Sequence, residues 1–465
     1  VPSIGKNEAM PDGASIPESC RGNAMTVPQQ DNRVTHRVVV AFAIRVASAA
    51  IAYLSHILLA RWLSLEQYGL FAAVWTWLLI VVGTLPLGLN VAVVGRLPRY
   101  LAAGDNAHAR GLAVSALGLT LVLSVVVTAV AIALVFWRPG LAGGSLAPLA
   151  ILALLCLPLL ALGEVNEGLA RAQGWMGSAL LPAYIARPVL MLVAGGALHA
   201  SGIGLDAATI LACALLAVAV TTIVQTGWIA LGLMRITRGE PVRLSVRTWL
   251  LIALPMLVTE VCELLLASLD LLFVAVSVGA AEAGLYFAAQ RSIALVGFVN
   301  FAVGAATASA VAAALADRMR LVEEVRRAST LAFWPTLAGA LMLVAAGPYL
   351  LGLFGPQFTE GTPIMAILAV GFVARSFVGP AELLLNVVGA GRACAMILSG
   401  HLALALVLNA VLVPALGITG AALAASATML SLSCTLAGYA WLRHGLVMVP
   451  SSPLPEITRL ARLAG

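Results

Sequence analysis

Lysine is all but missing from this sequence. Lys6 is the only one among 465 residues, and it stands in "SIGKNE", outside any G-x-x-x-x-G-K-[ST] pattern, which excludes nucleotide hydrolysis by that kind of phosphate-binding loop. H-E-x-x-H, C-x-x-C and G-x-S-x-G are absent, and the six histidines are dispersed, so no metal, cofactor or catalytic group is implied. Charge is scarce as well: 10% of residues, against about 25% in soluble domains. Of six cysteines, Cys156, Cys213, Cys262, Cys394 and Cys434 fall in apolar runs and Cys20 in a polar start, which implies no disulfide framework.

What is present is hydrocarbon. The chain is 62% hydrophobic with a mean hydropathy of +1.03. A helix rises about 1.5 Å per residue, so a core about 30 Å thick takes about 20 apolar residues per crossing. That ruler gives an all-α polytopic membrane protein with about twelve spans, near 38–60, 68–94, 111–135, 146–168, 177–199, 208–233, 249–275, 283–313, 328–353, 362–386, 393–414 and 419–442. The net charge of +6 forms no patch of the kind nucleic acid needs. With the N-terminus inside, sixteen arginines fall on inner loops and the C-terminal end, whereas the outer loops hold only Arg61 and Arg138. The positive-inside rule then places both termini in the cytoplasm.

The chain also repeats itself. Gly69 in "QYGLFAAV" and Gly284 in "EAGLYFAA" stand at a numbering offset of 284 − 69 = 215, and Glu167/Glu382, Gly174/Gly389 and Gly202/Gly417 share that offset. The expected organisation is a flexible tail (1–35), a six-helix bundle (36–235), a basic linker (236–247), a second six-helix bundle (248–445) and a tail (446–465). Because six is even, the two bundles are parallel repeats about an axis along the membrane normal, with a central cavity between them.

The spans carry a few charges that lipid does not tolerate. Arg45, Arg187, Arg291 and Arg375 would add about 10–14 kcal/mol to insertion if they faced lipid, so an interior face is expected for them. Arg45, Ala49, Ala52 and His56 share one helical face, as do Glu260, Glu263, Ala267 and Asp270. Arg45 and Glu260 are related by the same offset as the glycines, which suits residues facing one another across a cleft. Blander readings stand beside these. Arg45 could snorkel, Arg187 could serve carbonyls freed by Pro188, and Glu260, Glu263 and Asp270 could be static partners of the arginines. His56 suits the membrane interface and His401 a packed polar role, and Glu164, Glu167 and Glu382 suit solvated or capping roles near span ends. An arginine-lined cleft fits a pyrophosphate-bearing cargo, and the acids suggest a proton or sodium site.

"LLARWLSLEQYGLFAAV" (58–74) and "LNAVLVPALGITGAALAAS" (408–426) resemble signatures of bacterial polysaccharide flippases in the multidrug/oligosaccharidyl-lipid/polysaccharide exporter superfamily. The resemblance spans about residues 38–442. It implies two bundles around a cavity lined mainly by spans one, two, seven and eight. It also implies alternating-access flipping of undecaprenyl-pyrophosphate-linked oligosaccharide in the inner membrane for O-antigen or exopolysaccharide synthesis, beside a polysaccharide polymerase and chain-length regulator. Arg45 and Arg291 take the substrate-contacting role best, with Arg187 and Arg375 carrying over weakly and Glu260, Glu263 and Asp270 left for H+ or Na+. A cation-coupled multidrug exporter on the same fold is the alternative, for which an acid-dominated, aromatic cavity is expected. A membrane-embedded polymerase or glycosyltransferase is disfavoured by the short outer loops.

Overall fold

A computed structural model describes residues 47–137, 147–237 and 240–451; Arg45, Lys6 and Cys20 lie outside them. Helices fill nearly all of the described chain, and no strand occurs among those residues. Among the described residues, ten helices are long and apolar enough to cross a membrane. One of them, Gly391–His444, would be about 81 Å long if straight, and it folds back at Gly417 (φ 61°, ψ −137°), so it supplies two spans. The helix over 47–62 supplies the first span, bringing the total to twelve in two six-helix bundles.

The duplication is visible in the backbone. Helices start at Leu65 and Ala280, at Ala147 and Thr362, and at Met176 and Gly391, each pair related by the offset that relates the glycines. Gly174 and Gly389 both take positive φ (72° and 84°), as do Gly202 and Gly417 (78° and 61°), so corresponding turns use the same left-handed residue.

Several expected spans are broken. Span two runs over Leu65–Thr84 and resumes at Leu89–Ala102 after a turn in which Leu87 (φ 54°) and Gly88 (φ 75°) are both left-handed and Pro86 offers no N–H. Span seven, Val246–Leu266 and Leu269–Ser277, is interrupted at Ala267 and Ser268. Span five contains a π-helical turn, Pro182–Ala186, directly before Arg187.

Packing differs between the two ends of the molecule. At the end away from the arginine-rich loops, one continuous apolar cluster takes residues from both bundles, among them Tyr68, Phe287 and Phe354. At the arginine-rich end there are two separate clusters. One holds Leu97, Leu112, Leu169 and Leu233 of the first bundle with Trp249 and Ala253 of span seven; the other holds Val325, Leu384, Leu398 and Leu436 of the second. Apolar packing between the bundles is therefore continuous at the outer end, whereas at the arginine-rich end the first bundle's cluster reaches only span seven and the rest of the second bundle forms its own. The chain after span twelve is not a free tail at its start: Leu446 and Met448 are buried, and Trp334 donates its indole N–H to the Ser451 carbonyl at 2.9 Å.

Candidate functional site

Three cavities hold the polar groups that lipid would reject. The first, about 360 Å³, lies at the arginine-rich end between spans two, four, five and seven, and includes Asn90, Glu164, Glu167, Arg171, Tyr184 and Glu260. The break in span two sets Asn90 against span seven, where its amide N–H donates to Glu260 Oε1 at 2.7 Å. Glu167 pairs with Arg171 and accepts from the Tyr184 hydroxyl at 3.4 Å. Asn90 Oδ1 and Glu260 Oε2 are buried and accept no hydrogen bond. Arg187 stands beside this cavity, with Nη2 3.3 Å from where a side chain at Gly163 would begin, and within electrostatic reach of Glu164 and Glu167.

A second cavity, about 280 Å³, lies inside the second bundle and includes Glu263, Asp270, Arg375, Glu382, Asn409 and Thr428. Arg375 pairs with Glu382. Asp270 Oδ2 accepts from the Tyr286 hydroxyl and, at 3.2 Å, from Gln290 Nε2. Its Oδ1 and Asn409 Oδ1 are buried without a donor, and the two residues are only 5% and 2% exposed. Groups of three or more His, Cys, Asp or Glu able to hold a metal are absent among the described residues.

The third and smallest, about 130 Å³, lies between spans one and eight nearer the outer end, and includes Ala49, Ala52, Tyr53, His56 and Arg291. The Arg291 guanidinium sits 4.6 Å over the Phe287 ring, and neither its Nε nor His56 Nδ1 has a hydrogen-bond partner.

This geometry revises several expectations. The face of span one is real, since Ala49, Ala52 and His56 line one cavity, although Arg45 lies outside the described residues. His56 is packed edge-on against Phe287 at 5.0 Å, inside the contact between spans one and eight. Glu260, Glu263 and Asp270 do not share a site, because Glu260 turns to the first bundle while Glu263 and Asp270 turn to the second. The three arginines among the described residues are not gathered: Arg375 and Arg187 stand with carboxylates in different bundles, and Arg291 sits among aromatic rings. Glu167 is buried and ion-paired with Arg171 instead of solvated, whereas Glu382 stands in the first turn of the helix Ala381–Val387, as a capping role has it, and also pairs with Arg375. Asn90 and Asn409 received no role from the sequence, although a lone asparagine in an apolar run was the available signal.

No protein-family model and no curated protein sequence matches the chain. Solved structures do. A multidrug-resistance MATE-family transporter of the MOP superfamily in an inward-facing conformation superposes with a TM-score of 0.70 at 18% identity, covering 88% of this chain and 97% of that one. An outward-facing conformation of a transporter so described gives 0.64 at 20% identity, over 88% and 94%. A MOP-superfamily transporter from Pyrococcus furiosus, described as having a binding pocket of reversed polarity that suggests a different function, gives 0.62 at 21%, over 88% and 94%.

The chain shares the fold of these transporters. Its polar inventory is uneven along the cleft. Carboxylates outnumber guanidinium groups in the two larger cavities, and among the described residues the Arg291 guanidinium is the one permanent charge lining the small outer cavity.

Proposed function

We propose that the chain is a cation-coupled exporter of amphiphilic cations, moving them across the cytoplasmic membrane by rocking its two bundles, 36–235 and 248–445, with both termini in the cytoplasm. One observation carries this reading: Asn90 Oδ1 and Glu260 Oε2 in the first cavity, and Asp270 Oδ1 and Asn409 Oδ1 in the second, are buried acceptors without donors. Acceptors left unmet in a low-dielectric interior call for a proton or a cation that satisfies them. In this scheme the cavity shared by Asn90, Glu164 and Glu260 receives the cargo at the inner mouth. Asp270, Asn409 and Glu263 receive H+ or Na+. The MOP fold supplies the alternating-access geometry.

The test is uptake of a fluorescent organic cation into proteoliposomes under an imposed proton or sodium gradient. Glu260→Gln should reduce cargo uptake, and Asp270→Asn should remove its dependence on the gradient. Uptake unaffected by both substitutions would defeat the reading.

Arg291 favours a second reading. An unpaired guanidinium in an aromatic-walled cavity suits a diphosphate, as in a flippase for undecaprenyl-pyrophosphate-linked oligosaccharide working beside a polymerase and chain-length regulator. Arg291→Gln separates the two, since it should abolish flipping of a lipid-linked diphosphate and spare uptake of a cation. Under that reading Arg45, Arg187 and Arg375 would join Arg291 as contacts.

A further inference from the structure

We propose that the crossing of spans two and eight at Gly69 and Gly284 is the outer seal of the cleft, a backbone-on-backbone contact on the pseudo-twofold axis that must part whenever the cleft opens outward. The inference rests on the rocking motion proposed above. A Cβ placed on Gly69 would fall on the Ala280 carbonyl oxygen and lie 2.6 Å from Gly284 N. A Cβ placed on Gly284 would lie 2.8 Å from the Leu65 carbonyl oxygen and 3.1 Å from Gly69 N. Leu65 and Ala280 are themselves equivalent positions of the two halves, so each glycine meets the same carbonyl of the other half. Such reciprocity places the axis relating the halves between the two glycines.

The position of this contact gives it its role. Around it the outer cluster runs unbroken from one bundle to the other, whereas the inner cluster of the first bundle takes in only Trp249 and Ala253 of span seven and the other inner cluster lies wholly in the second bundle. Other links between halves at this end are non-covalent and reversible, among them Tyr53 hydroxyl to Ser292 hydroxyl at 3.1 Å, Arg61 Nε donating to the Leu353 carbonyl at 2.6 Å, and the Tyr53, His56 and Tyr68 rings against Phe287, Phe354 and Phe358. With no side chain at 69 or 284, the helices touch closely enough to exclude solute and water, as small residues permit between membrane helices. The seal also connects to the inner chemistry. Tyr286 and Gln290, on the same helix as Gly284, donate to Asp270, so the element that forms the seal also grips the acid of the second cavity.

The test places nitroxide labels on p-acetylphenylalanine at positions 66 and 282, which are exposed at the outer ends of the two helices, and measures their separation in the whole chain reconstituted in sealed proteoliposomes. In the unsubstituted sequence a short distance should dominate, and a longer one should grow when a proton or sodium gradient is applied. Gly69→Ala should raise the ratio of long to short distance by about tenfold, because the closed contact no longer fits, and Gly284→Ala should shift it in the same direction. Gly95→Ala, whose added Cβ would meet nothing within 4 Å, should leave it unchanged. Wild-type distances in both Gly69→Ala and Gly284→Ala would overturn the proposal. So would a single fixed distance in the unsubstituted sequence during active transport. Shifts in the expected direction in a protein that moves no organic cation would support the seal while defeating the substrate reading.

Discussion

A guanidinium buried among hydrocarbon needs an anion or a set of acceptors, and Arg375, Arg187 and Arg291 meet that need in different ways. Arg375 is paired directly with Glu382, both side chains being mostly buried. Removing one partner of such a pair strands the other's charge, which costs more than the pair contributes when whole. Arg375→Ala is therefore expected to lower stability by about 2–4 kcal/mol, read as a fall in Tm in detergent, and Arg375→Ala/Glu382→Ala should recover a good part of the loss. Arg291 has no such carboxylate partner. It rests on the Phe287 face with an unpaired Nε, and a cation over an aromatic ring contributes about 1 kcal/mol. Arg291→Met should accordingly change Tm by less than Arg375→Ala does. The sequence showed both arginines as lone charges in apolar runs, and their roles diverge because of partners brought in from other spans. Glu382 follows Arg375 closely in the chain, but the turn at Val378–Pro380 that folds the pair together lies inside what reads as one apolar span.

At the scale of elements, hydropathy located the spans while the left-handed turns decided their shape. Gly417 reverses the chain between spans eleven and twelve with open space around its Cα, so Gly417→Ala should cost only the backbone strain, about 1–2 kcal/mol. Gly88 adds a second difficulty, because a Cβ there would fall on the Ala253 carbonyl of span seven. Gly88→Ala should cost clearly more than Gly417→Ala and should disturb the nearby Asn90–Glu260 hydrogen bond, seen as lost cation uptake as well as a lower Tm. Span six gives a milder case. Asp206 caps it, accepting from the Thr209 hydroxyl at 2.6 Å and the Thr209 N–H at 2.7 Å, and these bonds hold its carboxyl below the usual range. A depressed carboxyl stabilises the fold above its unfolded pKa of about 3.9, and that help fades as pH falls through the folded value. Asp206→Ala should thus lower stability by about 1 kcal/mol at pH 7, with the gap to the native sequence closing below about pH 4. The twelve-span count and the constant offset between halves were legible because each depends on short stretches of chain. The break in span two was legible only in part: "LPLGLN" offers Pro86 and Gly88 as signals, yet its leucines keep the hydropathy of a continuous span.

At the scale of the whole molecule, the fold is two related bundles, and function depends on the two ends of the cleft not being open together. The bundles share one apolar cluster at the end away from the arginines and, apart from span seven, hold separate clusters at the arginine-rich end, which the positive-inside rule would make cytoplasmic. In the exporter proposed above, cargo would enter from that side through the cavity of Asn90, Glu164 and Glu260, and leave when the outer cluster divides. This orientation can be measured independently of any substrate. Tyr349 is 81% exposed on the short helix Gly347–Gly352 beyond the outer end of span nine, and Met319 is 82% exposed at the arginine-rich start of the same span. In intact spheroplasts, Tyr349→Cys should react with a membrane-impermeant maleimide, whereas Met319→Cys should react only after permeabilisation. The opposite pattern would invert the molecule in the membrane, turn the arginine-rich end outward and make the same cavities those of an importer. The orientation follows from many weak preferences, about 1 kcal/mol for each arginine near an anionic leaflet. Replacing only Arg318 and Arg320 by glutamine should therefore leave the labelling pattern intact, because the other inner-loop arginines still outnumber the two outside.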